Sequence, residues 1–238
     1  MIIKGGINVC GFTLGVISLE SYFPKPVGHI KHPACFDFPI IYNTVKGATI
    51  DRLIRARDPE LLKPFIDAAQ ALERQGVKAI TGSCGFLALH QQEIAAAVNV
   101  PVFMSSLIQV PLVSRMLKRG QKVGVVVANS DALTDAHLKG VGIADEPIVV
   151  AGMQHQTQFA EVILRGETDD LDMELFAEEL SAVVQRMLDE NPHVGAIVLE
   201  CTDLSHFAPT LQRKFGLPIF DLSSLARMVA AAVDRQIA

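Results

Sequence analysis

The sequence predicts an α/β protein of two pseudo-symmetric lobes, each a parallel sheet flanked by helices, with an active site in the cleft between them. Three observations predict it. Short β-rich runs alternate with helical ones, the pattern of parallel α/β construction. The strand-like runs form two sets of four in the same order. The two sets also align residue by residue around a pair of cysteines.

The first set is "LGVISLE", "FPIIYNTV", "VKAITGSC" and "VPVFMSS"; the second is "VGVVVAN", "EPIVVAG", "VGAIVLEC" and "LPIFDLS". Cys84 and Cys201 lie 117 positions apart (201 − 84), as do Pro101 and Pro218 (218 − 101). In that register Ile80 matches Ile197, Leu87 matches Leu204, Phe103 matches Phe220 and Ser106 matches Ser223. Nearer the start of each half, Gly15 matches Gly124 and Pro39 matches Pro147. Strand, thiol, helix and next strand stay in step, which implies duplication of one βα unit set rather than a solenoid.

The helices between are readable. "DPELLKPFIDAAQALERQG" has Asp58 as N-cap, Pro59 at the first helical position and Gly76 as the stop. Leu61, Leu62, Phe65, Ile66, Ala69 and Leu72 form its apolar stripe. Its counterpart, "DMELFAEELSAVVQRMLDENP", ends before Pro192. "SSLIQVPLVSRMLKRG" is helical only if Pro111 stays near the first turn. "SSLARMVAAAVDRQIA" closes the chain as a helix.

Composition narrows the function. The chain has 238 residues, half of them hydrophobic, and a net charge of −5 without a basic cluster. That balance argues against nucleic acid, which needs concentrated Lys and Arg. Apolar runs such as "VGVVVA" fall far short of the roughly 20 residues that cross a bilayer, so no membrane partner is expected. The start, "MIIKGGINVCGFTLGVISLES", begins like a signal peptide, but no A-x-A-like site follows and its second half is needed as a strand. A mature cytoplasmic protein is the expectation. Four cysteines without close pairing suggest neither a zinc knuckle nor a C-x-x-C site. Cys10 and Cys35 read as buried small hydrophobes with reduced thiols.

Cys84 and Cys201 read differently, because each ends a strand just before a helix. Ligands of parallel sheets sit at the carboxyl ends of the strands. A helix N-terminus lowers a thiol's pKa and can hold a substrate carboxylate. Two such thiols, facing each other across a pseudo-twofold cleft, suit one reaction. One removes a proton from a carbon beside a carboxylate, and the other returns a proton to the opposite face. Neither a metal nor an organic cofactor is needed. The two sulfurs must hold opposite protonation states, with coupled titrations near neutrality.

At these residues the chain resembles the aspartate/glutamate/hydantoin racemase superfamily, cofactor-independent enzymes with two similar α/β lobes and a cysteine from each. The resemblance spans almost the full length, and "LECTDL" matches its second-cysteine motif. It implies Cys201 and Cys84 as opposing acid/base residues, Thr202 as a carboxylate anchor and Asp203 as a group tuning the thiol. By analogy the first lobe takes residues 1–106 plus 222–238 and the second takes 107–221. A small carboxylic acid is the implied substrate, and a homodimer the implied assembly.

The chain departs from members acting on glutamate. Gly85 and Phe86 replace the Asn-Thr after the first cysteine, and "ISLES" replaces an Asp-Ser-Gly turn. Phe86 would put a ring where a polar anchor is expected, which points to a bulkier, less polar acid or a hydantoin. Ser83, Glu20 and Asn129 are further candidates for the cleft, Glu20 and Asn129 because they match in the repeat. Glu200, His90 and His206 have no assigned role, and alternation turns Glu200 away from the face of Cys201.

A cofactor-independent racemase or epimerase of an amino acid, a related chiral acid or a hydantoin is the expected activity. Arylmalonate-decarboxylase-like and maleate-isomerase-like enzymes of the same superfamily stay open, as does a non-catalytic two-lobed protein that binds small acids. A cysteine hydrolase needs small residues two before and two after its nucleophile; Gly82 meets the first demand and Phe86 fails the second. Neither dinucleotide nor P-loop glycine patterns follow a strand.

Overall fold

The computed structural model describes residues 6, 7 and 9–234. Residues 1–5, 8 and 235–238, which the sequence assigns to the first lobe, lie outside the described residues.

Among the described residues, eight strands form where the eight apolar runs stand. β1 (Leu14–Ser18), β2 (Ile40–Thr44), β3 (Ala79–Gly82) and β4 (Val102–Phe103) make one parallel sheet in the order β2-β1-β3-β4. β5 (Lys122–Val127), β6 (Ile148–Gly152), β7 (Val194–Leu199) and β8 (Ile219–Phe220) make the other, in the order β6-β5-β7-β8. The registers agree as well as the orders. Gly15 pairs with Ile80 and Ile80 with Val102; Gly124 pairs with Ile197 and Ile197 with Ile219. These are the residues that align in the sequence. The central strands are buried throughout because helices cover both faces of each sheet.

Helix α1 (Leu62–Arg74) follows a 3-10 turn, Pro59–Leu61, in which the Asp58 side chain accepts from the Glu60 N–H. Its Phe65, Ala69 and Leu72 are buried, and Leu72 lies so close to Gly15 that a β-carbon there would sit 3.1 Å from it. α2 (Gln91–Ala96) and α3 (Val110–Met116) complete the first half, with Pro111 in the first turn of α3, where its missing N–H does no harm. In the second half come α4 (Asp135–Gly140), the short α5 (Thr157–Phe159), α6 (Met173–Glu190) and α7 (Ala208–Phe215). Asp172 caps α6 through the N–H groups of Glu174 and Leu175.

The last helix, α8 (Leu222–Val233), returns to the first sheet. Its Leu222, Leu225 and Ala226 share a core with Leu14, Val16, Ala79 and Phe103. Asp221 caps it at Ser224, the Ser223 hydroxyl donates to the Gly28 carbonyl, and the Thr13 hydroxyl donates to Asp234. Among the described residues, no helix is long and apolar enough to cross a membrane.

Two expectations need correcting. Cys10 is exposed in the chain that precedes the first strand, whereas Cys35 is buried as expected. The segments after Cys84 and Cys201 open not as α-helices but as 3-10 helices, Gly85–His90 and Thr202–Phe207. Most residues of both are buried, and three residues per turn lets successive side chains fill several faces at once.

Candidate active site

The carboxyl ends of β3 and β7 bring Cys84 and Cys201 to the wall of one pocket, although they come from different sheets. Ser83, Gly85, Phe86, Thr202, Asp203 and Glu200 line the same pocket. Its cover is apolar. Leu19 and Phe23 come from the chain after β1, and Ile54 and Ile163 come from two π turns, Asp51–Arg55 and Ala160–Arg165. Single π turns recur at functional sites, and here one from each half closes over the thiols. The free volume is about 20 Å³, room for about one water. The pocket is closed.

Electrostatics follow from that closure. Burial, then the charge of Glu200, pushes the Cys84 thiol well above its ordinary value, while the Phe86 N–H and Lys31 oppose the rise. Burial, then Asp203, Glu200 and Cys84, raises Cys201 likewise. The expectation of thiols near neutrality is therefore overturned. The 3-10 starts offer only a short run of aligned N–H groups, and enclosure beside carboxylates outweighs it.

The two thiols are held differently. The Cys201 Sγ donates to Asp203 Oδ2 at 3.3 Å, and Asp203 Oδ1 is bound by His29 Nε2 at 2.9 Å. His29 Nδ1 accepts the Lys31 N–H at 2.9 Å, which leaves Nε2 as the protonated nitrogen facing Asp203. Burial alone would raise Asp203, but the hydrogen bond from His29, with Cys201 and Lys25, holds its carboxyl below the usual range. Cys84 has no such carboxylate partner, and Lys31 stands nearer to it in charge. The Lys31 ammonium donates to the Leu19 carbonyl at 2.9 Å and to the Ser21 hydroxyl at 3.0 Å.

Other candidates are placed by their hydrogen bonds. The Ser83 hydroxyl accepts the Leu19 N–H at 2.9 Å. The Thr202 hydroxyl donates to the Ser83 carbonyl at 2.8 Å, so it ties the two halves together instead of standing free as a carboxylate anchor. The Phe86 ring is turned edge-on against His137, centroids 5.1 Å apart, and seals the contact with α4. Glu20 and Asn129 do not line the pocket. Glu20 accepts the Gly47 N–H at 2.8 Å and Asn129 accepts the Asp131 N–H at 3.0 Å, each capping the loop beyond its strand, where alternation no longer governs direction. His90 is buried beside Phe65, and the His206 ring nitrogen contacts the Val27 carbonyl at 2.6 Å. Glu200 lines the pocket with Cys201 because β7 stops at Leu199 and alternation ends with it.

Sequence reasoning missed His29 and Lys31. They lie in the irregular chain between β1 and β2, where no period locates a side chain. The sequence carries no signal for them; in the structure Gly28 has φ +113°, and a β-carbon there would stand 2.7 Å from the His206 Cα. The "VGHIKH" stretch is thus pinned against the second thiol's helix. Among the described residues, no group of three or more His, Cys, Asp or Glu side chains is arranged to hold a metal ion.

The chain is 31% identical to dimethylsulfoniopropionate lyase 7 of Emiliania huxleyi over 95% of its own length and 69% of that protein's. It is 30% identical to the dimethylsulfoniopropionate lyase of Durusdinium sp. clade D, covering 90% of this chain and 72% of that one. Among solved structures it is similar to Picrophilus torridus aspartate racemase (TM-score 0.60, 12% identity, 96% of each chain). It is also similar to unliganded arylmalonate decarboxylase (TM-score 0.59, 15% identity, 95% of this chain and 94% of that one). The sequence model described as Asp/Glu/Hydantoin racemase matches residues 108–230, more than half the chain, and the two-sheet fold agrees with it. The protein belongs to the Asp/Glu/hydantoin racemase family.

Proposed function

We propose that this enzyme is a lyase that removes the proton beside a carboxylate and expels a substituent from the next carbon, with dimethylsulfoniopropionate as the substrate. One observation carries the reading: both thiols share a closed pocket whose cover is apolar, and Glu20 and Asn129, the polar candidates for the cleft, are turned elsewhere. A dimethylsulfonio group suits such walls. Its positive charge also offsets Asp203, an ionised carboxylate whose field helps to hold the thiols protonated. The two lyase relatives favour the same substrate.

In this reading Cys84 is the base, since the Phe86 N–H and Lys31 both favour its thiolate. Its sulfur takes the α-proton, the electron pair becomes the C–C double bond, and the C–S bond breaks to release neutral dimethyl sulfide and acrylate. Cys201 keeps its proton, directed at Asp203. The pocket must widen to admit the substrate, and the two π turns are the covers that would part.

The racemase reading stays as the second, because an elimination needs one thiol and the site has two, one from each sheet. A single experiment separates them: proton NMR of the enzyme with dimethylsulfoniopropionate, and with amino acids, in deuterium oxide. Acrylate and dimethyl sulfide, lost in Cys84→Ser, are expected. Deuterium entering the α-position of an amino acid without elimination of dimethylsulfoniopropionate would overturn the lyase reading in favour of the racemase.

A further inference from the structure

Glu200 holds one position in the second half that Ser83 holds in the first, each directly before its cysteine. Both perform the same structural task. Ser83 accepts the Leu19 N–H after β1 at 2.9 Å, and Glu200 Oε2 accepts the Ala128 N–H after β5 at 3.4 Å. A hydroxyl suffices for that task, so the other oxygen of Glu200 is surplus to it. Oε1 is fully buried, lies beside Gly85 in the pocket wall and has no hydrogen-bond partner. None of the ion pairs among the described residues includes Glu200.

An ionised carboxylate without a partner is expensive to bury, so the group holds its proton instead. Burial raises its pKa to about 8, against the weak pull of the Ala128 N–H. A protonated carboxyl is a donor, and among the described residues no acceptor stands within hydrogen-bond reach of Oε1. Its place in the pocket wall offers that proton to whatever the pocket binds.

We infer that Glu200 is a catalytic residue, a neutral carboxylic acid whose proton is hydrogen-bonded to the substrate carboxylate. The inference rests on the reading that this pocket binds a carboxylate. Removing the α-proton moves negative charge onto that carboxylate, and a donor already in place grips it harder as the charge grows. The proton stays on Glu200 throughout. The sequence departure at residue 85 belongs to the same device: a β-carbon on Gly85 would overlap both the carbonyl and Oε1 of Glu200.

Propionate, which has the carboxylate but no leaving group, tests this apart from turnover. Infrared difference spectra at pH 7 should show a protonated carboxyl band that is absent from Glu200→Gln and shifts when propionate binds. Propionate affinity of the native enzyme should fall about tenfold for each pH unit above about 8, and stay flat in Glu200→Gln and Glu200→Ser. A band missing at pH 7, or one that propionate leaves unmoved, overturns the inference, and the native enzyme alone decides this if a variant fails to fold. Propionate bound as described without cleavage of dimethylsulfoniopropionate would overturn the lyase reading and leave this one standing.

Discussion

His29 and Asp203 are joined at 2.9 Å although 174 positions separate them in the chain. The bond locks Asp203 in place, and Asp203 in turn orients the Cys201 thiol. His29→Gln is expected to lower kcat/KM by roughly tenfold to a hundredfold, the equivalent of about 1.5–3 kcal/mol for a hydrogen bond to a charged group. Steady-state kinetics and chemical denaturation check this together. A variant with unchanged kcat/KM would show that the pair only fastens the loop.

Gly85→Ala is expected to destabilise the protein by about 1–3 kcal/mol, because the added carbon overlaps Glu200 at both its carbonyl and its side chain. The double variant Gly85→Ala/Glu200→Ser should recover only part of that loss, since the carbonyl clash remains. Urea titrations of the three proteins measure it. Full recovery in the double variant would place the whole conflict on the carboxyl.

Glu200 also makes stability depend on pH in a definite direction. Its folded value, about 8, lies above the ordinary 4.5, so the unfolded chain gives up the proton first. Its contribution is fully present below about 4.5 and is lost as pH rises through about 8. Glu200→Gln should therefore gain on the native protein across that window, by up to roughly 3–5 kcal/mol, and then level off. Denaturation midpoints at pH 5, 7 and 9 would reveal a constant difference if Glu200 were ionised throughout.

Alkylation should follow access rather than activation. Iodoacetamide at neutral pH is expected to label exposed Cys10 first, and Cys84 and Cys201 slowly, at rates that climb with pH as their raised thiols ionise. Propionate should slow the labelling of both. Peptide mass spectrometry identifies the order, and rapid neutral labelling of the pocket pair would contradict the closed site.

The eight strands and the two thiols were legible because a strand buried on both faces reads as an apolar run, and each cysteine stands where such a run ends. Side-chain direction was legible only as far as regular structure continues. Leu199 is the last residue of β7, so alternation misplaced Glu200 immediately after it. Glu20 and Asn129 match in the repeat, but each lies two residues beyond its strand, where the match in sequence no longer fixes a side chain's direction. His29 and Lys31 escaped notice because a long irregular connection carries them back over the cleft, and only a backbone contact at Gly28 records how.

The return of α8 to the first sheet has a consequence for biosynthesis. When β1 to β4 have emerged from the ribosome, the helix that shields Leu14, Val16 and Phe103 has not yet been made. The N-terminal half therefore waits with an uncovered greasy flank until residues 222–233 have also emerged, a window in which a chaperone has a natural place to bind.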